Sequence, residues 1–122
     1  MSQAQNSHHT INEHGKALRI KISSSIGEEH LKTSFLSFVS SAIQKEAKGV
    51  LIDNHELNHH ISPHFQAWAQ QNLELPLFHA GVDKIAIVHP NDANFFNLIA
   101  KNDTKRRRYF STAEEAQAWL DA

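Results

Sequence analysis

The sequence predicts one α/β domain built on a mostly parallel sheet. Three observations predict it. Val50-Leu51-Ile52 and Ile85-Ala86-Ile87-Val88 are short apolar runs with no polar face to show to water, as in central parallel strands covered on both sides. Between and around them lie apolar stripes at helical spacing. Strand and helix patterns alternate along the chain, which calls for right-handed crossovers. At 122 residues the chain fits one hydrophobic core and is too short for two.

The elements follow in order. Residues 1–14 are polar, with Ile11 the only large apolar side chain after Met1, and are expected to form a flexible tail. The domain proper is expected over residues 15–122. Leu18, Ile20 and Ile22 alternate with Arg19 and Lys21, a strand with one wet face near a sheet edge. Thr10 to Glu13 is the one candidate for a hairpin partner. Ser25 and Glu28 have capping-box spacing ahead of Leu31, Phe35, Phe38, Val39, Ala42 and Ile43, the stripe of an amphipathic helix. Lys45 and Lys48 suit its C-terminal dipole and Gly49 suits its end.

After the first buried strand comes a polar loop, then Ser62-Pro63, a hydroxyl cap followed by a first-turn proline. Phe65, Trp68, Ala69 and Leu73 share one face of that helix, and Pro76 is expected to end it. Gly81 precedes the second buried strand. Pro90 and Asn91 open a helix carrying Phe95, Leu98 and Ile99. Lys105 to Phe110 is the last strand, and Ser111 with Glu114 caps a final helix bearing Ala116, Trp119 and Leu120.

Composition narrows the function. A formal net charge of -1 supplies no global field toward nucleic acid or an anionic membrane. The ten histidines make the charge sensitive to mild acid. Cysteine is absent, which removes disulfides, thiolate catalysis and cysteine-ligated zinc, and suits a reducing cytoplasm. Neither a signal peptide nor an apolar run of ~20 residues is visible, so membrane insertion is not expected.

His55-Glu56-Leu57-Asn58-His59 spells the H-E-x-x-H string of zinc proteases. That chemistry needs both imidazoles on one face of a continuous helix, and here the string falls in a loop with no evident third ligand. No catalytic zinc and no cofactor are expected. His55, His59, His60 and His64 cluster closely enough for adventitious metal only. Lys105-Arg106-Arg107-Arg108 sits in a strand, where alternate side chains point to opposite faces, so the run cannot form one patch. It suits the guarding of a sheet edge better than nucleic-acid binding.

From Gly49 onward the sequence resembles the SpoIIAA-like branch of the STAS domains, a branch also likened to CRAL-TRIO lipid-transfer domains. The matching pieces are Gly49-Val50-Leu51-Ile52-Asp53, Ser62-Pro63 leading to Trp68, Ala80-Gly81-Val82-Asp83-Lys84-Ile85-Ala86-Ile87-Val88-His89-Pro90, and Arg108-Tyr109-Phe110-Ser111-Thr112-Ala113-Glu114 onward to Leu120. The resemblance implies a four- to five-stranded sheet with about four helices, and regulation or ligand carriage instead of catalysis. It also implies phosphate at the position of Ser62, although Ile61-Ser62-Pro63 departs from the regulators' Asp-Ser-Ser-Gly motif.

The expected function is therefore a non-enzymatic regulatory or protein-interaction module. Carriage of a small apolar or lipid-like ligand is the alternative. The candidate surface comprises Ser62, Phe65, Trp68, Phe78 and Phe95. The partner is a protein or a small apolar molecule, and a homodimer is left open.

Overall fold

Gly49–Asp53 and Lys84–Val88 form strands β3 and β4, side by side and parallel, in the middle of a five-stranded sheet of order β1-β2-β3-β4-β5. The structure, a computed structural model, describes residues 9–14, 17–22, 28–56, 63–89 and 104–122. The remaining strands are β1 (His9–His14), β2 (Ala17–Ile22) and β5 (Arg107–Phe110). Only β1 and β2 are antiparallel.

One sheet face is apolar from β2 to β4. Leu18, Ile20 and Ile22 of β2, Val50 and Ile52 of β3, and Ile85 and Ile87 of β4 all belong to it and are buried. Helix α1 (Glu28–Gln44) and a second helical stretch cover this face. Both are crossovers between neighbouring strands laid down in one direction, so the right-handed rule puts them on the same side. Helix α4 (Ala113–Asp121) follows the last strand, is not a crossover, and covers the opposite face at Leu51, Ala86 and Val88.

The hairpin corrects two expectations. Strand β1 occupies His9–His14, inside the stretch assigned to the tail, and Ile11 stands opposite Ile20 in its register. A single apolar residue suffices because the neighbouring strand supplies the rest of the face. Strand β2 is therefore flanked on both sides instead of lying at the edge. Its alternation survives because α4 covers β3 to β5, while Arg19 and Lys21 of β2 meet charged partners.

Helix α1 is closed by Glu46, not Gly49. The Glu46 N–H donates to Ile43 O at 3.1 Å and the Ala47 N–H to Ala42 O at 3.0 Å, the paired bonds of a Schellman motif. That geometry requires the left-handed backbone, and Glu46 has φ 54°. Glycine is relieved of this penalty but freer in the unfolded chain, so Glu46→Gly should raise stability by about 0.5–1 kcal/mol in a urea melt. Gly49 serves packing instead. It lies in β3, where a Cβ would come 3.3 Å from Leu120 Cδ2 of α4.

Pro76 does not end the second helical stretch. Helix α2 (Pro63–Ala69) passes into a π-helical turn (Gln70–Glu74) and then α3 (Leu75–His79). The Leu75 N–H donates to Gln70 O, one residue further back than in an α-helix. The changed ladder lets Pro76 fall in the first turn of α3, where its missing N–H is tolerated. Gly81, with φ +104°, then turns the chain toward β4.

The cap of α4 also shifts by one residue. The Glu115 N–H donates to Thr112 Oγ1 at 3.2 Å, so Thr112 is the cap in place of Ser111, with Glu115 as its partner in place of Glu114. Ser111 donates to Glu115 Oε1 at 3.0 Å from outside the helix. The expected cap at Ser25 and the expected helix bearing Phe95, Leu98 and Ile99 lie outside the described residues.

Candidate interaction surface

Strand β3 ends in a carboxylate tied to its own turn. Asp53 is buried and accepts from Arg19 Nη2 at 2.8 Å and from the His55 N–H at 3.0 Å. The second bond makes an Asx-type turn, which sends the chain out of the sheet at His55 and Glu56. Lys21 of β2 then holds Glu56 at 2.9 Å. Its hydrogen bond and charge keep the Glu56 carboxyl below its ordinary value, with a smaller contribution from His55. Strand β2 thus anchors the start of the loop that leads to α2.

This turn settles the geometry of the first half of the H-E-x-x-H string. His55 and Glu56 lie in a turn, not on a helix, and Glu56 faces Lys21. His59 and His60 lie outside the described residues, and His64 is exposed on α2. Among the described residues no group of three or more metal-ligating side chains comes together.

Helix α2 begins at Pro63, directly after Ser62, which lies outside the described residues, as does Phe95. Phe65 is buried, with ring centroids 5.9 Å from Phe35 of α1 and 5.5 Å from Trp68. Trp68 is half-buried, with the Lys32 ammonium of α1 5.6 Å from its ring centroid. The α2–α3 stretch starts after the C-terminal end of β3 and returns the chain to the N-terminal end of β4. Phe78 therefore sits at the far end, half-buried under the Arg106 guanidinium at 4.2 Å. Phe65 and Trp68 stack at one end of the stretch and Phe78 lies at the other, all three packed in the same core cluster. Leu36, Ile43 and Leu75 are each about half exposed on α1 and α3, helices that pack against each other.

The basic run divides as strand geometry requires. Within β5 Arg107 faces Glu74 and Arg108 lies over Trp119 on the other face, while Arg106 precedes the strand and donates to Val82 O at 2.9 Å. Arg107, however, is no edge guard. It points inward beside Ile85, and its Nη1 donates to Glu74 Oε1 of the π-helical turn at 2.8 Å. Sequence reading missed Glu74. The available signal was a lone acid among Leu73, Leu75 and Leu77. Burial pushes the Glu74 carboxyl above its ordinary value of 4.5, against the opposing hydrogen bond and charge of Arg107. A raised folded value means that the native state holds its proton at higher pH than the unfolded chain does. The Glu74 contribution to stability is thus fullest below 4.5 and is lost as pH rises through the raised value. Melts of wild type and Glu74→Gln from pH 4 upward should show that component of the slope in the wild type alone.

Two solved structures match over nearly the whole chain. The anti-sigma factor antagonist SpoIIAA in its unphosphorylated form superposes with a TM-score of 0.65 at 11% identity, covering 93% of this chain and 98% of that one. The fold is SpoIIAA-like. An uncharacterized protein of the DUF3478 family from Shewanella loihica, itself with a SpoIIAA-like fold, matches at TM-score 0.50 and 20% identity, over 98% of this chain and 99% of its own. At these identities the likeness is one of fold. Neither a family model nor a curated protein matches the sequence.

The described part of this SpoIIAA-like domain has no helix long and apolar enough to cross a membrane. It carries an open groove of about 390 Å³ at the N-terminal end of the parallel strands, lined by Glu13, Ala17, Leu18, Lys45, Glu46, Ala47 and Lys48. That groove lies at the end of the sheet away from Phe65 and Trp68, and four of its seven lining residues are charged.

Proposed function

We propose that this SpoIIAA-like domain is a non-enzymatic regulatory or protein-interaction module working in the cytoplasm, and that its partner is a protein. Trp68 marks the centre of the surface, with Phe65 stacked against it, and Ser62 is assigned to it from the sequence. The observation that carries this reading is the exposure of Leu36, Ile43 and Leu75 on the helical layer that also presents Trp68. Exposed apolar side chains gathered on one layer are a common mark of protein contact. The fold it shares with an anti-sigma factor antagonist points the same way, as analogy.

The alternative, carriage of an apolar ligand, has less behind it. Phe65 and Phe78 lie at opposite ends of the α2–α3 stretch, and the groove described above has a charged rim. Phe95 would have to complete either surface.

Native mass spectrometry of the purified protein and affinity enrichment from host extract test both readings together. The regulatory reading expects a protein retained by the wild type and lost from Leu36→Asp and Leu75→Asp variants that still melt cooperatively. A stoichiometric apolar small molecule in the native spectrum, with no protein retained, would replace it by the carrier reading.

A further inference from the structure

Helix α1 carries two stripes, not one. The inner stripe, Leu31, Phe35, Phe38 and Ala42, is buried in the core over the sheet. The outer stripe, Thr33, Leu36, Ser40 and Ile43, is exposed, and Leu36 and Ile43 are each 49% so. Both stripes advance by steps of three and four residues, the repeat by which one helix packs along another. The core satisfies only the inner one. The outer stripe also lacks the charges that ordinarily keep a helix surface in water. From Thr33 to Gln44 there is no charged residue, and the polar side chains are small hydroxyls and one amide. Thr33 turns its hydroxyl back onto its own helix, to Glu29 O at 3.3 Å. Charges resume on either side, with Lys32 before the span and Lys45 and Glu46 after it.

We propose that this outer face of α1 packs antiparallel on α1 of a second copy of the chain, about a two-fold axis beside Ser40. The inference rests on the reading of the helical layer as a protein-contact surface, and it names the protein that covers the α1 part of that layer. A two-fold contact sets a surface against itself, so near the axis every charge would meet its own kind. The span from Thr33 to Gln44 has none to meet. In the antiparallel arrangement Leu36 of each copy packs on Ile43 of the other, because the two lie at nearly equal distances on either side of Ser40. Ser40 faces its counterpart at the axis, where a small side chain lets the helices approach. The same register brings Lys32 of each copy beside Glu46 of the other, opposite charges that enter no ion pair among the described residues. The helix dipoles then oppose each other. A parallel pairing would set Lys32 on Lys32 and Glu29 on Glu29, and would align the dipoles.

The chain has no cysteine, so a single introduced thiol reports on one position alone. Under mild oxidation Ser40→Cys should form an intermolecular disulfide rapidly. Leu36→Cys and Ile43→Cys should each be slow alone, because each lies about 10 Å along the helix axes from its counterpart, beyond disulfide reach. An equimolar mixture of those two variants should cross-link as rapidly as Ser40→Cys. Sedimentation equilibrium of the wild type should show a species of twice 13.8 kDa that grows with concentration, and an Ile43→Asp variant that still melts cooperatively should lose it. A wild type that stays at 13.8 kDa up to about 1 mM overturns the inference. Leu36→Cys that cross-links alone as fast as Ser40→Cys overturns it too, since that requires a parallel pairing or contact without a register. The two readings fail separately: a monomer that still retains a host protein keeps the broader one, and a dimer that retains none keeps this one.

Discussion

Glu74→Ala is expected to destabilise the domain by about 3–5 kcal/mol, read from the shift in urea midpoint, because it removes the carboxylate that faces the buried Arg107 guanidinium. The side chains of Arg107 and Glu74 are only 8% and 10% exposed, so water cannot replace the lost partner cheaply. A loss of that size is a large fraction of the ~5–15 kcal/mol that holds a typical domain together. If the single variant fails to fold, the double variant Glu74→Leu with Arg107→Met decides the matter. Removing both charges takes away the burial penalty along with the attraction, so the double variant should approach wild-type stability. A loss under about 1 kcal/mol from Glu74→Ala would show that the pair is solvated in solution, as surface pairs are.

Phe65→Ala is expected to cost a similar amount, about 3–5 kcal/mol, and Trp68→Ala clearly less, about 1–2 kcal/mol. Phe65 is 2% exposed and wedged between Phe35 and Trp68, so truncation leaves a cavity against α1. Trp68 is only half-buried, with Lys32 over its ring. On the face that Phe65, Trp68, Ala69 and Leu73 share, Phe65 and Leu73 are buried and Trp68 is partly so, and the larger share of packing falls to Phe65. Trp68→Phe should barely move the melt while weakening capture of a protein partner, which separates packing from recognition. A Trp68→Ala loss equal to that of Phe65→Ala would place the indole in the core and remove it from the surface.

How far the sequence could be read depended on the range of the forces involved. Val50, Leu51 and Ile52, with Ile85 to Val88, declared two central strands because a run without a polar face has only one environment open to it. The apolar stripes of α1 and α4 were equally plain, since helical spacing is a local property. The opposite facing of Arg107 and Arg108 also followed from strand geometry, although Lys105 and Arg106 fall before the strand begins.

What the tertiary structure decided was pairing and partnership. Strand β1 has one large apolar residue, too weak a signal by itself. It becomes a strand because β2 offers it a ladder and Ile11 a place beside Ile20. The ending of α1 at Glu46 and the passage of the helix through Pro76 were settled by which hydrogen bonds could close, not by which residues favour them. Glu74 and Arg107 are 33 positions apart, and nothing local announces that they meet. A buried charge is tolerated only where the fold brings it an opposite one, and that match is made between the sheet and the helical stretch above it.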